Sequence, residues 1–529
     1  MSLRIVAVSA PYWLEGKFVN HSLKSEDPAS LFNACRYAAF LAESGVGPWG
    51  ESNWAESREK RRESILLMNS LTEEISDFDL LLKKEKPNLL LIGAMTLCLP
   101  GAVALAKRAR ETLGEEVCIV LGGWHSTESI YFDTCLNKIK HHVSSPLRLM
   151  LEGYIDPNFD LVVSGEAEHL IAKIGNMVDL LDQRGLPMSK VYDYLDGLLN
   201  TPGDWIIGWV KKETIWTFKG RGYPLDRDEL MSPCSMFGVR ASFNVFGAKK
   251  TAHVFSDSGR GCVYSCDFCS ESNSICGSLA QINTSANRLY EQLKDAVQSI
   301  KEESPSCRAS AFIEDSSMLA GSSIYMQKLA DLLSDCSLDI DFGGQLTIDQ
   351  ALCRLDVLKN LKKVGFNYLF VGIETMNPDL INGMVKVKKS EHSWMVRVEK
   401  LFSSLSEMGI SCGASLLFGI GESRKSRTLL FEQITKWRKS YGFPNPIAIN
   451  WAVQHPRRGN DGGSNYRYVQ WGIPSGPFMN VFKDFGEASI NYPIAGQDPP
   501  SLGEAEELVY IYHEILQESP KMVNSKKGD

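Results

Sequence analysis

Short runs of consecutive apolar residues mark the first third of the chain: LRIVAVS (residues 3–9), NLLLIGAM (88–95), VCIVLGG (117–123) and LVVSGE (161–166). Runs of this length, bounded by polar residues or glycine, are the signature of strands buried on both faces. Between them, residues near 29–44, 57–85, 101–113 and 166–182 repeat their apolar positions at helical spacing, and Pro100-Gly101 opens one of these stretches, as proline does in a first helical turn. Strand and helix in alternation predict βαβ units, hence a doubly wound, Rossmann-like α/β domain over residues 1–195. Its ligands are expected at the carboxyl ends of the strands.

Residues 196–250 break the pattern. They are rich in Trp, Gly and Pro, as in TPGDWIIGWVKKETIWTFKGRGYPLDRDEL, and read as a strand pair followed by an extended linker. A second alternating series then begins: AHVFSDS (252–258), SAFIEDS (310–316), IDFGGQL (340–346), YLFVGIE (368–374), GASLLFGIG (413–421) and PIAINWAV (446–453). Helical stretches such as LYEQLKDAVQSIKEE and IYMQKLADLLSD separate them. Six such strands over residues 251–455 predict a partial parallel (βα)6 barrel with its functional groups where the strands end. The C-terminal segment, 456–529, is rich in Gly and Pro apart from a short helix near 502–517. No internal repeat or low-complexity segment is present.

Composition narrows the class. A chain of 529 residues is too long for one core, and no apolar run approaches the length of a membrane span. The N-terminus reads directly as a strand and lacks the features of a secretory signal, so a cytoplasmic location is expected. A net charge of -8 and a pI near 5.7 argue against a nucleic-acid-coating surface. The basic runs KKEK, EKRRES and KVKK read as solvated helix faces. Thirteen cysteines are too dilute and irregular for a disulfide framework; Cys35, Cys98, Cys118, Cys135, Cys307, Cys336, Cys353 and Cys412 read as small core residues.

Three cysteines stand apart. GRGCVYSCDFCS (259–270) places Cys262, Cys266 and Cys269 within eight positions, a spacing that chance would give roughly 1 time in 100 in a chain of this composition. A structural zinc site wants four closed ligands; no second CxxC pair exists, and Cys276 is the one nearby fourth candidate. An iron-sulfur cluster with three protein thiolates instead leaves one iron open to another ligand.

The sequence CVYSCDFC resembles the CxxxCxxC motif of the radical S-adenosylmethionine (SAM) superfamily, and its flanks resemble members that carry an N-terminal cobalamin-binding domain. The resemblance implies a 4Fe-4S cluster on Cys262, Cys266 and Cys269, whose open iron chelates SAM, with Phe268 packed beside the cluster and adenine. IEDSSM (313–318), FVGIET (370–375) and LLFGIGES (416–423) resemble the family's later barrel segments, which implies that Asp315, Gln345, Glu374 and Gly419 line the SAM site. Taken singly, an acidic residue at a strand end is as readily a helix cap.

LGGWHST (121–127) and DLVVSGEAEHLI (160–171) resemble the GGxH and GExE segments of the cobalamin domains fused to such barrels. The resemblance implies cobalamin contacts from Gly122, Gly123, His125, Gly165 and Glu166; glycines at a strand end also admit a large flat ligand. No DxHxxG occurs, so no lower-face histidine is implied, and His125 is expected against the corrin; Met95, Leu97 and Trp124 sit at strand ends near that face. The implied reaction is methylation of an unactivated carbon of a small-molecule or peptide intermediate, through a 5'-deoxyadenosyl radical and methylcobalamin. The implied reductant is a flavodoxin or ferredoxin; neither nucleic acid nor membrane is an expected partner. Ring formation or contraction, rearrangement and other alkyl transfers use the same cofactors and stay open, as do a cofactor sensor and a structural zinc protein. Tyr223, Cys234, Arg240, Trp451, His455, Arg457, Arg458 and Trp471 are the candidate substrate contacts, no one of them assigned a catalytic role.

Overall fold

The computed structural model describes residues 3–11, 64–68, 71–95, 98–142, 144–229, 232–234, 238–239, 241–247, 249–256, 261–266, 268–269, 271, 282–376, 386, 393–451, 466–470, 489–493 and 502–517. The chain divides into two compact units, residues 1–241 with 474–482 and residues 242–473 with 483–529.

The first unit runs β1 (Ile5–Ser9), β2 (Ile65–Leu67), α1 (Leu71–Glu85), β3 (Leu89–Gly93), α2 (Leu99–Leu113), β4 (Cys118–Gly122), α3 (Trp124–Ser129), β5 (Ile130–Asp133), β6 (Lys138–His141), α4 (Pro146–Leu151), β7 (Leu161–Gly165), α5 (Glu168–Gln183), β8 (Trp205–Lys211) and β9 (Thr214–Lys219). Its sheet has the order β2-β1-β3-β4-β7-β8-β9, parallel from β2 through β7 and antiparallel at β8 and β9. All five residues of β1 and of β3 are buried, as the uninterrupted apolar runs require of a sheet covered on both sides. The chain reverses direction across the sheet between β1 and β3, and in sheets wound this way ligands bind outside the carboxyl ends.

Two features depart from the sequence reading. The stretch 57–85, expected to be helical, contains the short parallel edge strand β2 before α1 begins. The strand pair assigned to the linker extends the first sheet, so the first unit continues to residue 241. The reason is the fully buried Trp205: its indole N–H donates to Thr201 O at 3.0 Å, its ring stacks on Phe218, and a side chain at Gly220 would collide with it. The β8–β9 turn places Lys212 and Glu213 at φ 49° and 56°, the two left-handed residues of a tight hairpin turn.

The second unit runs β10 (Ala241–Phe243), β11 (Lys249–Val254), α6 (Ser285–Glu303), β12 (Ala309–Ile313), α7 (Ser323–Cys336), β13 (Ile340–Leu346), α8 (Ile348–Leu352), α9 (Leu355–Lys363), β14 (Phe366–Glu374), α10 (Trp394–Met408), β15 (Ser411–Phe418), α11 (Arg424–Tyr441), β16 (Ile447–Trp451), β17 (Tyr466–Gln470), β18 (Ser489–Pro493) and α12 (Leu502–Gln517). Strands β10 to β16 form one sheet in chain order, parallel from β11 onward, and β17 pairs antiparallel with β18. The six expected barrel strands are all present. On one face Phe246, Phe312 and Tyr368 cluster with Phe243 and Phe370. Gly343 and Gly413 make the room for Tyr368, because a Cβ at either position would collide with its ring or hydroxyl.

Cysteine burial divides by position rather than by apolar neighbours. Cys98, Cys118 and Cys412 are buried as expected, whereas Cys135, Cys307, Cys336 and Cys353 are exposed. The exposed four lie in turns or at helix ends, where adjacent residues in sequence do not surround the thiol. Cys35 and the expected helix at 29–44 lie outside the described residues.

The packing of Trp205 gives a direct check. Trp205→Ala should destabilise the first unit by about 3–5 kcal/mol in urea denaturation of the full chain, and a change below about 1 kcal/mol would return the hairpin to a linker.

Candidate active site

The sulfur-bearing loop follows β11. Asp315 holds the segment leading into it: one carboxylate oxygen accepts the Ser256 N–H at 2.9 Å, the other the Leu319 N–H at 3.3 Å. The loop is closed by the Cys262 N–H donating to Glu271 O at 2.6 Å and by the Cys269 N–H donating to Cys266 O at 3.3 Å. Beside it, the Ser316 hydroxyl after β12 donates to Glu271 at 3.1 Å. Thr347 caps α8, and Gln350 closes the reciprocal box. Thus the ends of β11 and β12 fix the loop, next to the capped start of α8.

Cys266 is buried, and Cys262 and Cys269 are half-buried. Burial pushes the Cys262 thiol above its ordinary pKa, and the Cys266 sulfur adds to the rise. Cys269 is pushed up to about 12, by burial first and then by the charge of Glu271. Burial therefore favours the protonated thiol at Cys262 and Cys269, while the nearby Lys386 charge works the other way. Among the described residues, no three His, Cys, Asp or Glu side chains converge as they would around a single metal ion. Three thiols on one loop are the donor type that iron-sulfur clusters use. Cys276 lies outside the described residues.

Beside the loop stands an ion pair that the sequence reading missed. Lys386 Nζ donates to Glu374 Oε1, lies 5.9 Å from the centre of the Phe268 ring, and belongs to the KVKK run read as a solvated helix face. Instead its side chain is only 14% exposed. Burial opposes its charge, yet Glu374, with help from Cys266 and Cys269, holds its pKa above the ordinary value. Glu374 is the last residue of β14, at φ 62°, a conformation costing a non-glycine residue about 1–3 kcal/mol. A register shift between Gly372 and Glu374 accompanies it and brings the carboxylate within 3.4 Å of Ser415 Oγ. A side chain at Gly372 would collide with both Glu374 and Lys386.

Gln345 is half-buried and in register with Phe370. Gly419 is left-handed at φ 89°, and its N–H donates to Glu422 at 2.7 Å. His253 and Glu314, also unassigned from sequence, form a close pair with Nδ1 2.6 Å from Oε1 next to Phe243. The barrel strands therefore carry an aromatic floor and, toward their carboxyl ends, a polar rim.

In the first unit, Gly122 is open, with only Val163 O near an added Cβ, at 3.9 Å. Gly123, at φ 94°, is required by the chain itself, because a Cβ there would fall 2.6 Å from Ala94 N. Gly165, at φ 88°, faces Asp204 O in the same way. Glu166 is paired with the buried Arg227. His125 is fully buried, and its Nε2 meets Ser144 O at 2.9 Å. The Ser144 N–H donates to His142 Nδ1 at 3.2 Å, so that nitrogen carries no proton. Burial lowers the pKa of His125. It also lowers His142 to about 4, with His125 and Arg148 adding to the shift. Met95 and Trp124 are half-buried. Tyr223 is exposed and Cys234 is buried, and Trp451 closes β16. Leu97, Arg240, His455, Arg457, Arg458 and Trp471 lie outside the described residues.

A doubly wound sheet is followed in the chain by a partial parallel barrel with three thiols on the loop after its first parallel strand. Neither a family model nor a curated protein sequence matches this chain. Among solved structures, the chain is similar to the radical SAM methyltransferase TsrM from Kitasatospora setae with cobalamin and a 4Fe-4S cluster bound, at TM-score 0.54 and 13% identity over 97% of this chain and 91% of that one. The TsrM structure with tryptophan substrate and the SAM analog aza-SAM gives TM-score 0.50 and 12% identity over 97% and 89%. OxsB, a cobalamin-dependent SAM radical enzyme with aqua-cobalamin bound, gives TM-score 0.49 and 13% identity over 83% and 52%. The likeness to TsrM establishes the fold expected from the sequence. Among the described residues no helix is long and apolar enough to cross a membrane.

Two outcomes follow from this geometry. Lys386→Met, which strands the Glu374 carboxylate, should destabilise the second unit by about 3–5 kcal/mol in chemical denaturation, with most of the loss recovered by adding Glu374→Gln; a loss under about 1 kcal/mol would contradict a buried pair. Because the folded pKa of His142 lies below its unfolded value, the stability it contributes is present above pH 6.5 and lost as pH falls toward 4. The loss is of order 3 kcal/mol. His142→Gln should flatten that part of the stability–pH curve, and an unchanged slope would contradict a buried neutral imidazole.

Proposed function

We propose that this chain is a cobalamin-dependent radical SAM enzyme that methylates an unactivated carbon of a small-molecule or peptide biosynthetic intermediate, with a flavodoxin or ferredoxin as reductant. The observation that carries the reading is the loop of three thiols at the carboxyl end of the barrel, flanked by a buried carboxylate–ammonium pair. In this reading Cys262, Cys266 and Cys269 hold the cluster. When bound, cluster and SAM supply one-electron cleavage to a carbon radical, and cobalamin supplies the methyl group.

The chain's own residues prepare that chemistry. Burial raises the Cys262 and Cys269 thiols, so binding of a cationic group would favour their ionised form. Glu374 and Lys386 offer one carboxylate and one ammonium, the complement of the amino-acid zwitterion of SAM. Phe268 provides an apolar surface beside them, and the left-handed Gly419 allows close backbone approach. In the first unit, the open strand end at Gly122 is the place for the corrin. Gly123, Gly165, His125 and Glu166 shape that strand end from within the fold. TsrM, which shares this fold, is a methyltransferase with cobalamin and a 4Fe-4S cluster bound, and this supports the same pairing here.

Anaerobic reconstitution with iron, sulfide and cobalamin, followed by reduction with methyl-labelled SAM, tests the reading. Wild type should retain corrinoid and form 5'-deoxyadenosine, and Cys266→Ala should lower that turnover by about 100-fold or more, as expected when a ligand to the reactive centre is lost. With a candidate substrate, label in the product supports methyl transfer. Unlabelled product would assign another radical transformation, and a preparation that binds no corrinoid would remove methylcobalamin from the reaction.

A further inference from the structure

The glycine turn after β15 is held by a buried charge cluster that reaches the C-terminal helix. Glu422 accepts the Gly419 N–H at 2.7 Å on one carboxylate oxygen and the Ile420 N–H at 2.9 Å on the other. Arg427 Nη1 donates to the same carboxylate at 2.8 Å and to Glu422 O at 2.9 Å. Its Nε donates to Glu504 of α12, also at 2.8 Å. The side chains of Glu422, Arg427 and Glu504 are 2%, 1% and 9% exposed. Helix α12 is further seated by buried Leu508, Tyr512 and Ile515, with the Tyr512 hydroxyl donating to Ile447 O of β16 at 2.7 Å.

The charges explain why this arrangement is specific. One guanidinium bonds both carboxylates in a site with little water, where removing one member leaves a buried charge without a bond it had. The backbone N–H groups of Gly419 and Ile420 bond the Glu422 carboxylate as well. The turn and the arginine therefore stabilise one carboxylate jointly, and the geometry of each depends on the other. Glu504 is what holds Arg427 from the far side.

We infer that Glu504 is a positioning residue: through Arg427 and Glu422 it fixes the Gly419–Gly421 turn, so that the C-terminal helix completes the cofactor rim of the barrel. The inference rests on the reading of that rim as a SAM site. Substrate-independent consequences follow as well, because the Gly419 and Ile420 amides are locked whether or not SAM is present.

The test uses the full-length chain, anaerobically reconstituted. In Glu504→Ala, hydrogen exchange at the Gly419 and Ile420 amides should accelerate at least about tenfold while exchange in the β11–β14 strands is unchanged, and SAM should bind roughly tenfold more weakly. That is the order expected for loss of one charge-assisted hydrogen bond. Glu504→Gln, which keeps the acceptor oxygen, should recover most of both effects. Glu507→Gln, which removes only the exposed partner of Arg424, should behave as wild type. Exchange and SAM affinity both unchanged in Glu504→Ala would overturn the proposal, and so would a uniform rise in exchange across the second unit, which would make α12 a general prop. If wild type itself binds no SAM, the functional reading fails, and the two amides alone decide whether Glu504 sets the turn.

Discussion

Six parallel strands ending at one rim are the constraint on which everything chemical in this chain depends. Parallel strands share a carboxyl end, so groups far apart in sequence gather there: the cysteine loop after β11, Asp315 after β12, Thr347 after β13, Glu374 at the end of β14 and the glycine turn after β15. Each group is tied to a neighbour by a specific bond. Asp315 holds the approach to the loop, Thr347 closes a capping box with Gln350, Glu374 meets Lys386 and Ser415, and Glu422 meets the turn. The aromatic cluster around Tyr368 fills the sheet face behind them and leaves the polar groups at the rim.

Burial supplies the second theme. An ammonium held charged by a carboxylate and an arginine between two glutamates are each unfavourable in isolation and become stable only as sets. Such sets resist rearrangement, because moving one member leaves another unpaired. The strained backbone at Glu374 fits the same logic: the local conformation is unfavourable, and the position of the carboxylate beside Lys386 over-determines it.

How much of this was legible in the sequence follows from the range of the interactions involved. The strands were readable because consecutive apolar residues report burial on both faces, and the cysteine loop was readable because its three cysteines are neighbours in sequence. Lys386 was misread for the opposite reason: within KVKK nothing local distinguishes a lysine that meets Glu374 from one in water. Trp205 likewise joins a sheet whose other strands lie far upstream, so the hairpin resembled a linker. Gly123 and Gly165 stand at strand ends as expected, but the close approach they permit is to Ala94 and Asp204, partners that only the folded chain reveals. Glu504 had no local signal, since its role depends on Arg427, distant in sequence.

Electron paramagnetic resonance of the reduced, anaerobically reconstituted full-length chain, recorded with and without SAM, tests the central claim most directly. A three-thiolate 4Fe-4S cluster with an open iron predicts a reduced-cluster signal whose line shape changes when SAM is added. A reduced-cluster signal indifferent to SAM would contradict the open coordination site, and stoichiometric zinc with no cluster signal would make the loop at Cys262, Cys266 and Cys269 a structural metal clip.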